Sequence, residues 1–242
     1  MKIDLHIHTD ISRITKEDDY EGAFSVQTLK EKLIENNVKI FSLTDHNIIN
    51  IGAYEEYFNL YTDQDPLLLL GIELDVLVKR NNKEKTYHTL LVFDCSDIES
   101  VKEISSRLES RYTEKAILDP KTRLLDISDI VELFPKDNYF FIPHAYSDKN
   151  IVTAHKDGAI VEAQKMVLLM QCALEKVTKE ETKSVYNQGF NTLLTKSFRS
   201  KNDIPYINFS DNHCISRYPC RHKGNGGIGN HAFYFIKGSK SY

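Results

Sequence analysis

Near the start of the chain, Asp4, His6 and His8 alternate with Ile3, Leu5 and Ile7. The alternation predicts a strand with one apolar face and one face of metal-type ligands. Two imidazoles two residues apart on a strand point the same way and can reach one cation together. A lone histidine is more often a packed structural residue than a ligand, so the pair gains weight only from its company. Thr44-Asp45-His46-Asn47 follows the run Ile40 to Leu43, and Gly71-Ile72-Glu73 follows Leu67 to Leu70. Pro143-His144 follows Tyr139 to Ile142, and Ser210-Asp211-Asn212-His213 follows Tyr206 to Phe209. His88 opens the largely apolar stretch that ends at Phe93. A carboxylate such as Glu73 at the exit of a buried run must be paired or bind a cation.

A mixed set of imidazoles and carboxylates suits zinc, manganese or iron, whereas all-oxygen ligation suits magnesium or calcium. Such ions lower the pKa of a bound water from about 15.7 towards about 7 and can hold the attacking and leaving oxygens of a phosphoester in line. No Ser-His-Asp or Cys-His nucleophile has to be invoked. The chain has no Gly-x-x-x-x-Gly-Lys-Ser/Thr loop, so nucleotide hydrolysis by that route is excluded.

The elements that must position these groups read as strands alternating with helices. Ser25 is a suitable cap for a helix through Leu29, Leu33 and Ile34, ended by Asn36-Asn37. Val38 to Leu43 reads as the second strand, Tyr54 to Leu60 as a helix, and Leu67 to Ile72 as a strand of the buried parallel kind. Thr86 to Phe93 returns as a strand after the polar turn of residues 79–85, which reads as exposed rather than as a nucleic-acid contact. Asp97 caps a helix through Val101, Ile104 and Leu108, and Asp126 caps another to Phe134. Residues 9–22 read as a polar loop, 109–125 as a mixed flap, and 148–158 as a further loop whose His155 is a surface residue. Residues 159–176 suit a strand–helix unit and 178–190 a helix, Pro205 to Phe209 forms the last catalytic strand, and Ala232 to Ile236 closes the sheet. A buried strand followed by His, Asp or Glu, repeated along the chain, is the linear image of a parallel β/α barrel. In such barrels the chemistry sits at the C-terminal strand ends.

The ordered set of motifs resembles the PHP family, named for the polymerase and histidinol phosphatase domains that share it. The likeness rests on Asp4-x-His6-x-His8, Thr44-Asp45-His46, Gly71-x-Glu73, His88, Pro143-His144 and Ser210-Asp211-x-His213, and it spans the whole chain. It implies an α/β fold, a distorted (β/α)7-type TIM-like barrel. It implies two or three divalent ions, zinc, manganese or iron, and a metal-bridging hydroxide as nucleophile. His6, His8, Glu73 and Asp211 would surround one ion. Glu73 would bridge to a second, completed by His88 and His144. His46 and His213 would hold a third, together with an acidic residue of the first loop, for which Asp10, Asp18 and Asp19 are all candidates. Glu73, Asp211 and His213 would take part in catalysis, and Asp4 and Asp45 would orient histidines from behind. Arg13, Arg217 and Arg221 are candidates for gripping the substrate phosphate, the last two in a basic, glycine-containing stretch after His213. The chain departs from the family at Pro143-His144-Ala145, where members often carry a second proline, and in lacking a histidine shortly after His8.

With 242 residues, 41% of them hydrophobic, the chain suits one domain with a sizeable core. Its four cysteines, Cys95, Cys172, Cys214 and Cys220, form no framework and read as free thiols. No apolar stretch reaches membrane-spanning length, and the functional strand leaves no room for a signal peptide, so a cytoplasmic protein is expected. A net charge of −4 argues against a generally basic nucleic-acid surface but leaves room for a local basic cleft. The chain stops soon after its last strand, which suggests a fragment of a longer protein. PHP domains similar to it occur before SMC-like ATPase domains in bacterial proteins, some of them in phage (antiviral) defence.

The expected function is a metal-dependent phosphoesterase, with a nucleic-acid phosphodiester, DNA or RNA, favoured as substrate. A small phosphomonoester is the alternative within that class. A non-catalytic metal-bound module is the alternative outside it. An amidohydrolase shares the barrel logic but usually carries a carboxylated lysine, and no lysine here sits suitably at a strand end.

Overall fold

The computed structural model describes residues 1–17, 19–80, 83–135, 139–144, 149, 151–154, 174–175, 206–207, 209–219 and 234–235. The chain forms two compact units, one of Met1–Glu73, Val92–Arg123 and Phe209–Tyr242, the other of Leu74–Leu91 and Leu124–Asn208.

The first unit is built on a parallel β/α repeat. Strand β1 (Lys2–Ile7) pairs with β2 (Val38–Leu43), and β2 pairs with the beginning of β3 (Leu67–Arg80) from Ile40↔Leu67 to Leu43↔Leu70. Helix α1 (Val26–Glu35) makes the first crossover and α2 (Ile51–Leu60) the second. The Ser25 side chain accepts from the Thr28 N–H, and Val26, Leu29 and Leu33 face inward; Ile34 lies outside that stripe and is exposed, contrary to expectation. Asn37 ends the turn with φ of 56°, a backbone state that asparagine tolerates better than most residues. Helix α2 starts earlier than its apolar spacing predicts, because Asn50 caps it through the Ala53 N–H. Helix α3 (Ile98–Arg111) is capped by Asp97 and buries Val101, Ile104 and Leu108.

Two stretches read as irregular carry structure. Residues Asp10–Ile14 form a 3-10 turn capped by Thr9. The expected flap contains α4 (Glu114–Leu118), capped by Thr113, and a second 3-10 turn, Pro120–Thr122.

Strand β1 also differs from its two-faced pattern. Asp4, His6 and His8 are as buried as Ile3, Leu5 and Ile7. Both of its faces are covered, as in sheets of the buried parallel kind, and it pairs with β2 on one side and antiparallel with the short closing strand Tyr234–Phe235 on the other.

In the second unit β3 continues to Arg80, well past the predicted end, beside β4 (Lys83–Phe93). Strand β5 (Leu125–Asp126) pairs in parallel with β3 at Val76↔Leu125 and leads into α5 (Ile127–Leu133), whose cap is a reciprocal Asp126–Asp129 box. Strand β6 (Tyr139–Pro143) lies beside β4, followed by α6 (Ile151–Ala154). Strand β7 (Leu174–Glu175) pairs in parallel with β8 (Tyr206–Ile207), and the closing strand of the first unit is β9. The α/β class and the alternation of strands with helices are those the sequence predicts. Among the described residues no helix is long and apolar enough to cross a membrane. Arg221, Asp18, His155, Cys172, Cys220 and the helix expected at 178–190 lie outside the described residues.

Candidate metal centre

In the first unit, the C-terminal ends of β1 and β2, the middle of β3 and the segment after β8 converge. His6 Nε2 and His8 Nε2 lie 3.1 Å apart. Glu73 Oε2 lies 3.4 Å from His6 Nε2, 3.3 Å from His8 Nε2 and 3.1 Å from His46 Nδ1. Asp211 Oδ1 lies 3.2 Å from His6 Nε2 and 2.8 Å from His213 Nε2. The His213 ring stacks on His8 with centroids 3.9 Å apart. All these residues are buried.

Of the acidic candidates in the first loop, the structure brings Asp19 to the cluster. Its Oδ1 is 3.2 Å from His46 Nε2 and its Oδ2 is 3.2 Å from His213 Nδ1. Asp10 stays on the half-exposed 3-10 turn.

Local packing explains these positions. A Cβ on Gly71 would lie 2.0 Å from Ser42 Oγ and 3.0 Å from the Leu43 carbonyl oxygen, so only glycine lets β3 run this close to β2. The Tyr54 hydroxyl, from α2, accepts from the Gly71 N–H at 3.0 Å and donates to the Leu43 carbonyl at 3.0 Å, locking the two strand ends. Beyond them the Glu73 N–H donates to Asp45 O, and the Asn47 N–H donates to Glu73 O. Asn47 has φ of 54°, and its carbonyl accepts from Tyr112 Oη and Arg123 Nη1, both at 3.1 Å. Buried Arg123 is itself fixed by a bidentate pair with Glu109, each bond 2.7 Å.

Of the two aspartates expected to orient histidines, Asp45 reaches one through a serine and Asp4 has other partners. Asp45 accepts from Thr9 N–H, Thr9 Oγ1 and Ser12 Oγ, and Ser12 Oγ lies 3.2 Å from His8 Nδ1. Burial pushes the Asp45 carboxyl up from its ordinary value, while His8 and these donors oppose it. Among the described residues, no imidazole is hydrogen-bonded to the Asp4 carboxylate. It accepts from Ser210 N–H at 3.0 Å and from Tyr218 Oη at 2.7 Å, so it ties the last motif to β1. The Ser210 hydroxyl donates to His6 O, and the His8 N–H donates to Asn212 O.

The electrostatics suit a cation. Burial pushes His46 down to about 4, against the pull of Glu73 and Asp19, so it is neutral at pH 7, as a ligand must be. His213 goes the other way. Burial opposes its charge, but Asp211 and Asp19 outweigh it and raise the imidazole to about 10. Burial likewise opposes the Asp19 charge, and His213, His46 and His8 overcome it and hold its carboxyl well below the usual range. A proton on His213 thus supplies positive charge that a bound ion would supply instead. Among the described residues of the first unit, three groups have ligand atoms within 4.8 Å of one another: His6, His8 and Asp211; His8, His46 and Glu73; His8, Asp19 and His213. Crowded imidazole nitrogens facing buried carboxylates are a donor set that fits divalent transition metals.

The second unit carries its own pair. His88 and His144 have ring centroids 5.5 Å apart, and the His144 N–H donates to His88 O. Sequence reasoning missed Asp75, whose Oδ1 lies 3.0 Å from His88 Nε2 and 2.8 Å from Lys149 Nζ. Its position on β3, two residues beyond Glu73, is the signal that marks it. Burial opposes the Asp75 charge, but His88 and Lys149 outweigh it and hold the carboxyl below its ordinary value.

Two of the arginines expected to grip phosphate have partners within the chain. Arg13 donates to the Tyr20 and Gly22 carbonyls at 2.8 and 2.7 Å, and Arg217 pairs with Glu21. Both grip the loop that carries Asp19. Lys16, also missed, places Nζ 3.2 Å from Asp19 Oδ1 and 3.3 Å from His46 Nε2.

A family model described as the PHP domain matches residues 4–219. No curated protein matches the chain. Among solved structures the chain is similar to a protein described as a metal-dependent phosphoesterase from Bifidobacterium adolescentis, at 14% identity and a TM-score of 0.46, over 95% of this chain and 91% of that one. It is also similar to an amidohydrolase from Chromobacterium violaceum with bound sulfate and no metal, at 12% identity and a TM-score of 0.49, over 88% of each chain.

Proposed function

The chain belongs to the PHP domain family, and from that premise we propose that this metal-dependent hydrolase cleaves phosphoester bonds with divalent ions held in the first unit. The observation that carries the reading is the buried convergence of His6, His8, His46, Glu73, Asp211, His213 and Asp19, with ligand atoms grouped within 4.8 Å. His6, His8, Glu73 and Asp211 would hold one ion, and His46, His213 and Asp19 another. In the second unit His88 and His144 would serve a further one. When bound, such ions supply a water of lowered pKa and positive charge for the phosphoryl group.

The chain's own residues prepare that chemistry. Asp45, acting through Ser12, orients His8. Asp4 fixes the segment that delivers Asp211 and His213. Burial keeps bulk water from the ligands and strengthens every charge interaction there. A phosphodiester of DNA or RNA is kept as substrate class on the sequence resemblance alone, and so is a following ATPase domain.

Elemental analysis of protein purified without added metal, combined with manganese-dependent hydrolysis of nitrophenyl phosphate and of an oligonucleotide, tests the reading. Bound zinc, manganese or iron with turnover of either substrate supports it, and oligonucleotide cutting supports the nuclease version. Turnover of nitrophenyl phosphate alone defeats the nuclease version. Bound metal with no turnover of any phosphoester would favour a non-catalytic module.

A further inference from the structure

We propose that Lys16 is an exchangeable cation of this centre: its ammonium neutralises Asp19 beside His46 until a divalent ion takes those atoms, and then turns to the substrate's phosphoryl group. The proposal rests on the metal-dependent phosphoesterase reading. Asp19 is only 8% exposed, and a carboxylate that deep needs a positive partner. Lys16 Nζ stands 3.2 Å from Asp19 Oδ1 and 3.3 Å from His46 Nε2. These are the two atoms through which Asp19 and His46 face each other, 3.2 Å apart. With its ring proton on Nδ1, which faces Glu73 Oε2 at 3.1 Å, His46 presents the Nε2 lone pair to the ammonium, which has donors only.

The backbone of Lys16 is held by two hydrogen bonds, and its side chain reaches the centre from a half-exposed position. Its N–H donates to Ser12 O at 2.8 Å, and its carbonyl accepts from the Asp19 N–H at 3.0 Å. The side chain is 50% exposed, so the four-carbon stem can swing outward without opening the core. Two cations cannot share one carboxylate oxygen and one imidazole nitrogen at these distances. Loading therefore turns the ammonium out, leaving a mobile positive donor beside the ions. A phosphoryl oxygen is the ligand such a donor suits. Arg13 and Arg217 contact the 20–22 loop, whereas the Lys16 ammonium lies against Asp19 and His46 in the centre itself.

The test is calorimetric titration of manganese into chelator-stripped wild type, Lys16→Met and Lys16→Arg, followed by titration of inorganic phosphate into each manganese-loaded protein. Lys16→Met should bind its weakest ion about threefold tighter than wild type, the effect of removing one competing surface charge. The same variant should bind phosphate about tenfold more weakly, whereas Lys16→Arg retains phosphate binding. Lys16→Gln repeats the measurement should the methionine variant fold poorly. Unchanged manganese and phosphate affinities in Lys16→Met, with wild type binding manganese normally, overturn the proposal alone. A wild-type protein that binds no manganese overturns the metal-centre reading beneath it.

Discussion

Ser12 Oγ lies 3.2 Å from His8 Nδ1 while it donates to Asp45 at 2.7 Å. With its proton given to the carboxylate, Ser12 can only accept from His8, which fixes a proton on Nδ1 and leaves the Nε2 lone pair facing His6, Glu73 and Asp211. Ser12→Ala is therefore expected to weaken manganese affinity by about tenfold, the size of effect typical for a group one shell behind a ligand. Calorimetry on stripped protein measures it, and an unchanged affinity would show that His8 is oriented by other means.

Removing metal should expose the strain of packing carboxylates together. In chelator-treated protein Glu73→Gln is expected to melt at or above the wild-type temperature, since it removes a buried charge. In manganese-loaded protein the order reverses, because wild type gains binding free energy that the variant loses. Thermal melts of the four samples settle the sign.

Gly71→Ala should destabilise the protein by about 2 kcal/mol or more, because the added methyl meets Ser42 Oγ and a backbone carbonyl that cannot yield freely. Ser42→Gly in the same chain should recover part of that loss in urea unfolding, since it removes the nearest obstacle and leaves the Thr44 methyl and the Leu43 carbonyl.

Arg123→Met should lower stability by about 2 to 3 kcal/mol, leaving Glu109 and the Asn47 carbonyl without their charged donor. Manganese affinity should fall with it, because Asn47 follows His46 directly. Glu109→Gln, which keeps the arginine, is expected to do less on both measures.

Acid should act at Asp65. Burial raises its carboxyl, but the Lys30 ammonium and two Thr62 donors outweigh burial and hold it below its ordinary value. A lowered folded value means that the stabilisation is full above the unfolded value of about 3.9 and is lost as pH falls through the folded one. The stability gap between wild type and Asp65→Asn should thus be constant from neutrality to mildly acid pH and close below about 4.

Much of this was legible in the residues. Strand ends that carry His6, His8, His46 and Glu73 announce themselves, because an apolar run with a ligand at its exit is a periodic signal. Asp19 could not be chosen over Asp10 and Asp18, since a loop has no period and its path is set by contacts such as Arg13 with the Tyr20 and Gly22 carbonyls. Those same contacts hid the fate of Arg13 and Arg217, whose charge alone reads equally well as a phosphate grip. Asp75 escaped notice because the apolar run ends at Ile72, which places it beyond the predicted strand, whereas β3 continues to Arg80. The partners of Asp4 were invisible for another reason: they lie more than two hundred residues away.

That separation has a consequence during synthesis. Asp4 is bonded across 206 residues to Ser210 and across 214 to Tyr218. A carboxylate on β1 is thus synthesised long before its hydrogen-bond donors. Until those donors emerge from the ribosome, β1 lacks them and the centre cannot assemble.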